Sequence, residues 1–293
     1  MNKYVLAPII LIAIAVSWIV YHFKGENAEW RTPIAFYGKV VDERGMAVSN
    51  ATVDFSCNDI SGTSSYHSKS DTNGLFSISH IRGKMLVVAI TKDDYYTSRA
   101  DEDSFYYAGQ NVNFVPNPAK PELFHLRKIG LREPLIHVGA PLGGKKDFRI
   151  KRDGTPVEVS LTSGKTVAPG TGDLRVECWT DDEGHKGEHY DWRCRISVPR
   201  GGILPYTNEF PFQAPNEGFG DSDEINMPAS LENGWGRNAK RSYFLKLANG
   251  NYARMTFEMI AGGDHFFEVE SFVNPSGSRN LEFDPNKAIE LEN

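Results

Sequence analysis

The chain has 293 residues, with 32 Lys and Arg against 38 Asp and Glu, a net charge of −6 and 40% hydrophobic residues. That apolar share supports packed cores and excludes wholesale disorder, and the length allows one large or two modest domains. The acidic balance, with basic residues only in scattered pairs such as Lys145-Lys146 and Lys240-Arg241, excludes nucleic acid as a partner, since phosphate-backbone affinity needs clustered cations.

From Tyr4 to Phe23 there is no charged side chain, and the centre reads Ile9-Ile10-Leu11-Ile12-Ala13-Ile14-Ala15-Val16. Roughly 20 apolar residues at about 1.5 Å per residue cross a hydrocarbon layer of about 30 Å. Tyr4 at one end, and Trp18 and Tyr21 at the other, suit the two interfaces. Residues 1–24 are therefore expected to be a signal-anchor transmembrane helix. The alternative is cleavage near Ala13-Ile14-Ala15, which would leave the apolar stretch Val16-Ser17-Trp18-Ile19-Val20 at the new terminus. Lys3 lies on one side, while Lys24 and Arg31 on the other are offset by Glu26 and Glu29. The expectation is a single-pass protein with the lipid bilayer as a partner and its body extracytoplasmic, in a periplasm or on a cell surface.

Residues 25–33 read as a polar connector. Beyond them come short runs rich in β-branched and aromatic residues, broken by Gly, Asn-Gly and Asp-Gly, with no long stretch of apolar residues at helical spacing. The expected fold class is all-β: two β-sandwich domains, 34–132 and 133–285, the second a sandwich or jelly roll, behind the single N-terminal helix and ahead of a 286–293 tail.

In the first block, Phe36 to Asp42, Ala51 to Phe55, Leu75 to Ile78 and Met85 to Ile90 read as strands, with Asp71-Thr72-Asn73-Gly74 as a tight turn. The pattern Gly38-x-Val40-x-Asp42-x-x-Gly45-x-x-Val48-x-x-Ala51-x-Val53, followed by Ser70-Asp71-x-x-Gly74-x-Phe76-x-Ile78, resembles the carboxypeptidase regulatory-like domain over about residues 34 to 96. Ala47 stands where that family usually has Pro, and Asp94-Tyr95-Tyr96 replaces a frequent Gly-Tyr ending. The resemblance implies a small transthyretin-like or Ig-like β-sandwich acting as a spacer, stabiliser or adhesion unit, and no peptidase activity. A Pro-rich stretch, Val115 to Pro121, is excluded from the middle of a sheet and marks a crossing segment before a last strand at Phe124 to Arg127.

The second block alternates in Val157 to Leu161, Leu174 to Cys178 and Trp192 to Val198. Tyr243 to Leu247 meets Ala253 to Met259 across Asn249-Gly250, the strongest hairpin signal in the chain. Leu174, Val176 and Cys178 share one face of a strand, and Trp192, Cys194, Ile196 and Val198 share one face of the next. A register placing Cys178 opposite Cys194 also places Val176 opposite Ile196 and Leu174 opposite Val198, so a disulfide is expected there, with two buried thiols as the alternative. Cys57 is left as a small core residue.

Between those strands, His185-Lys186-Gly187-Glu188-His189 fits H-x-x-E-H, but Gly184 and Gly187 weaken the helix that zinc chemistry needs. The carboxylates Asp181, Asp182, Glu183 and Asp191 fit no EF-hand spacing and read as a solvated loop. No cofactor or metal is expected. Residues 208–238 read as a long connection without a clear strand, carrying Phe219 and Trp235 among Asp221, Asp223, Glu224 and Arg237. Aromatic faces beside carboxylates suit sugar rings, which stack on one side and hydrogen-bond at the rim. These six residues are the candidate ligand contacts. A non-enzymatic binder or scaffold recognising a glycan or an envelope protein is the first expectation. A glycan hydrolase using carboxylates of this loop is the second, and a purely structural protein the third.

Overall fold

The computed structural model describes residues 28–98, 104–139, 144–184 and 188–291. Among them no helix is long and apolar enough to cross a membrane, which corrects the expected single-pass architecture. The Tyr4 to Phe23 run on which that helix was placed lies outside the described residues. The membrane placement that rested on it falls with it. The described chain is all-β and divides into two compact units between Ile129 and Gly130.

The first unit holds β1 (Pro33–Asp42), β2 (Thr52–Asp59), β3 (Gly62–Lys69), β4 (Leu75–Arg82), β5 (Met85–Thr91), β6 (Tyr95–Thr97), β7 (Ser104–Tyr106) and β8 (Glu122–Lys128). They form two four-stranded sheets, in the orders β4-β1-β8-β6 and β3-β2-β5-β7. The strands alternate buried and exposed along their length, so each sheet turns one apolar face inward. Phe36, Val40, Val53, Phe55, Leu86, Ile90 and Leu126 meet in one core, which makes the unit a β-sandwich. The strand expected at Phe124 to Arg127 is β8, which pairs parallel to β1.

Two turns of this unit use the same local device. The Asp42 carboxylate accepts the N–H of Arg44 and Met46, and Asp71 accepts those of Asn73 and Leu75. In each case the glycine three residues on, Gly45 or Gly74, adopts φ of +76°. A side chain at that angle is strained, and a Cβ on Gly74 would also lie 2.3 Å from the Val40 carbonyl oxygen. The Asp-x-x-Gly spacing seen in the sequence is thus a turn built by one carboxylate and one left-handed glycine.

The second unit holds β9 (Ile136–Val138), β10 (Lys146–Arg149), β11 (Val157–Ser160), β12 (Lys165–Val167), β13 (Leu174–Thr180), β14 (Trp192–Ser197), β15 (Gly202–Pro205), β16 (Ser222–Met227), β17 (Asn238–Lys246), β18 (Tyr252–Ile260) and β19 (Phe266–Asn274). One sheet runs β10-β19-β18-β17-β15, with β9 also on β19, and the other runs β12-β11-β13-β14-β16. Leu174, Val176 and Ile196 from the second sheet pack with Met255, Phe257, Phe267 and Val269 from the first in a single core. The β17–β18 hairpin closes across Asn249-Gly250, where Gly250 has φ of +87° and the Asn249 side chain accepts the Asn251 N–H.

One expectation needs correction in detail, and two segments that the sequence left undescribed are placed. Residues 208–238 are not strandless, because β16 lies within them and pairs along its length with β14. Its sequence, Ser-Asp-Glu-Ile-Asn-Met, buries only Ile225, so an edge position rather than an apolar pattern defines it. The polar run Gly62 to Lys69 is also a strand, β3, at the edge of its sheet. Finally, the expected tail is tied down at Ile289, whose N–H donates to the Leu135 carbonyl.

Candidate functional site

The cysteine register predicted from the apolar faces is the one observed, with Cys178 opposite Cys194, Val176 opposite Ile196 and Trp179 opposite Arg193. Asp181 N–H donates to the Asp191 carbonyl, so by alternation along the ladder Cys178 and Cys194 form a non-hydrogen-bonded pair, where side chains stand closest. Both are nevertheless free thiols in place of the expected disulfide, and both are fully buried. Burial, reinforced by Asp182, pushes the Cys178 thiol up to about 12, and burial holds Cys194 well above its ordinary value. Cys57 is likewise a buried free thiol.

The six expected ligand contacts do not form one surface. Trp235 stacks on His189 with ring centroids 4.2 Å apart, meets Tyr190 edge-on, and donates its indole N–H to the Tyr190 carbonyl at 3.1 Å. It is part of the frame around the core. Phe219 lies before the start of β16, in a satellite cluster with Phe244, Leu281 and Tyr252. The six residues of β16 separate these two aromatics by roughly 20 Å of extended chain. Asp223 turns toward the core side, where its carboxylate accepts the Tyr243 hydroxyl at 2.8 Å. Glu224, its neighbour in the strand, points the other way and stands opposite Arg195 of β14. Asp221 and Arg237 are exposed at the two approaches to this region. Of the H-x-x-E-H motif, residues 185–187 lie outside the described residues, and His189 is the partner of Trp235.

What the fold does assemble is a basin on the outer face of β13, β14 and β16. Trp179, Arg193 and Asn226 stand side by side in one cross-strand row. With Arg152, Thr180, Asp181, Asp191, Trp192 and Pro228 they line a concavity of about 490 Å3. The Arg193 guanidinium lies 4.4 Å from the Trp179 ring centroid, a cation–π contact that fixes an otherwise exposed side chain. The indole also packs against Gly154, where a Cβ would come 2.1 Å from the ring nitrogen. A side chain at Gly154 would displace the Trp179 ring. Asp191 accepts the Ala229 N–H at 2.6 Å, which holds the segment after β16 against the rim. Arg152 is drawn to Asp182 and Glu183. The Thr180 hydroxyl is buried and has no partner among the described residues.

Sequence reasoning did not find this basin, although its signal was present. Leu174, Val176, Cys178 and Trp192, Cys194, Ile196 were read for their inward face; Glu177, Trp179, Arg193 and Arg195 are the alternate positions of the same strands. Asn226 and Pro228 could not be added without knowing that β16 pairs with β14.

No known protein family matches the chain, and no curated protein matches it. Among solved structures, a streptococcal ancillary pilin is similar at 10% identity, over 33% of this chain and 30% of that one, with a TM-score of 0.25. The chain thus spans less than a third of that pilin's length, and at this score the likeness bears on neither fold nor function.

Proposed function

We propose that the chain is a non-enzymatic binding protein whose second unit takes a carbohydrate in the basin of β13, β14 and β16. The observation that carries this reading is the Trp179–Arg193–Asn226 row. A sugar ring is apolar on one face and ringed by hydroxyls, so it is matched by aromatic and guanidinium planes beside amide and carboxylate groups. The uncovered part of Trp179 and the Arg193 guanidinium plane stacked on it offer the apolar surface, and Asn226 and Asp181 the polar rim. Stacking on Trp179 restrains Arg193 before a ligand arrives, which lowers the entropy lost on binding. The first unit would serve as a spacer of carboxypeptidase regulatory-like type; the support is that Gly38, Asp42, Gly45, Asp71, Gly74 and Phe76 of the motif each perform a structural task in its strands and turns.

The test is a glycan array probed with the full chain and with Trp179→Ala, Arg193→Ala and Trp235→Ala, each checked by circular dichroism. Binding that weakens about tenfold or more in folded Trp179→Ala and Arg193→Ala supports the reading. Binding to no glycan, or binding indifferent to both basin variants, sinks it. Loss in Trp235→Ala alone would move the site to the segment after β16.

A further inference from the structure

A sheet edge exposes a row of unpaired N–H and C=O groups, and folded proteins blunt such edges with short strands, bulges, proline or covering segments. Among the described residues, eight of the nine outer strands of the four sheets, counting the three-residue β9 on β19, are blunted. β6, β7 and β12 have three residues each, and β10 and β15 have four. β15 also ends at Pro205. β4 faces a register irregularity in β1 and contains His80 at φ of +63°. β16 is approached at its start by the Gly220–Ile203 bridge, and the segment after it is pinned by Asp191.

β3 is the exception. It runs eight residues without bulge or proline, and its register with β2 is unbroken from Thr52↔Lys69 to Asp59↔Gly62. Among the described residues β2 is the only strand it pairs with. The strand is anchored from its first turn, where Asp59 accepts the Ser61 N–H and the Ser64 hydroxyl. The outward row can be identified. Ser70 N–H donates to the Ala51 carbonyl, so even-numbered residues of β3 direct their backbone groups at β2. Thr63, Ser65, His67 and Lys69 direct theirs away from it. Glu and Asp are absent from the strand, and its one formal charge is Lys69 at the end.

We propose that β3 is a self-association edge: two copies of the chain pair their β3 strands antiparallel about a two-fold axis at Tyr66, joining two four-stranded sheets into one. In that register the outward groups meet one another, Thr63 opposite Lys69 and Ser65 opposite His67, so every new ladder position pairs a free donor with a free acceptor. Lys69 faces an uncharged Thr63, and no like charges stand opposite. The inner face supplies the apolar part. Tyr66 is half-buried against the first unit's core and stands opposite Phe55. On the axis it meets its own copy, which extends the row to Phe55–Tyr66–Tyr66–Phe55 and covers the ring edges left open in the monomer. A single strand pair buries less surface than a standard stable interface of roughly 1,600 Å2, so the dimer is weak and concentration-dependent.

Sedimentation velocity of the full chain over a wide concentration range tests this, together with amide hydrogen exchange at the outward row. The expected result is a reversible dimer in which the Ser65 and His67 amides gain protection as concentration rises. Ser65→Pro removes an outward N–H and leaves the β2 ladder its donors, and is expected to abolish the dimer. Ser65→Lys keeps the strand geometry and places a lysine on each side of the axis, so its dimer weakens at low salt and recovers at high salt. A chain that stays monomeric at its highest soluble concentration overturns the proposal. So does a dimer that survives Ser65→Pro, or one in which the wild-type Ser65 amide stays unprotected.

Discussion

Glu158 has only 4% of its surface exposed, yet it carries a charge. Burial pulls its carboxyl upward, but the backbone N–H groups of Gly170 and Gly172, 2.8 and 2.9 Å away, and the Arg175 guanidinium outweigh it and hold the group below its ordinary value of 4.5. A folded value below the unfolded one means that the unfolded chain binds more protons in the intervening range. The stabilisation is therefore whole above that ordinary value and is lost as pH falls through the depressed one. Glu158→Gln keeps the shape and removes the charge. It should cost about 1–2 kcal/mol at neutral pH, and the gap between variant and wild type should close on acidification, as thermal melts across pH would measure. Lys145 has a related role: it bridges Glu258 and Glu268, which stand opposite each other on β18 and β19 and would otherwise repel.

At the scale of elements, the first unit depends on the meeting of two motif residues that lie far apart in sequence. Gly38 in β1 and Phe76 in β4 are direct cross-strand partners, and a Cβ on Gly38 would fall 2.1 Å from the far end of the Phe76 ring. That ring is packed against Phe36, Phe55 and Phe124, so it has little room to move. Gly38→Ala should destabilise the unit by about 1–3 kcal/mol through overpacking, read as a lower denaturation midpoint with an unchanged slope. The glycine was legible in the sequence as part of a pattern, and its physical reason only in the pairing. The same holds elsewhere. Strands with one buried face, such as β2, β13, β14 and β18, announce themselves by alternation. Strands β3 and β16 do not, because an edge strand of Ser, Thr, Asp and Asn satisfies its backbone through a neighbour that the local sequence does not name. The expected site failed for that reason. Once 208–238 is threaded by β16, Phe219 and Trp235 are held at its opposite ends, while Trp179 and Arg193 come together from strands whose outward residues carry no apolar signature.

For the whole molecule, each unit closes around its own core, and none of the four sheets draws strands from both units. A protein divided between Ile129 and Gly130 should therefore give a 130–293 fragment that keeps its β circular dichroism and melts cooperatively; a fragment without a transition would show that the second core is not sufficient. The C-terminal segment belongs to this fragment: Glu282 accepts the Gly130 N–H, Glu133 donates its N–H to Glu282, and Phe283 bridges Glu133.

The parallel pairing of β1 with β8 has a consequence for the order of events during synthesis. β1 is the first described strand to leave the ribosome and β8 the last of its unit. The hairpins β2–β3 and β17–β18 can zip as soon as their turns emerge, but one flank of β1 stays open until nearly the whole unit has been made. The nascent chain thus carries β1 unpaired until β4 is made and half-paired from then until β8 arrives, and that interval is when it is most exposed to wrong partners.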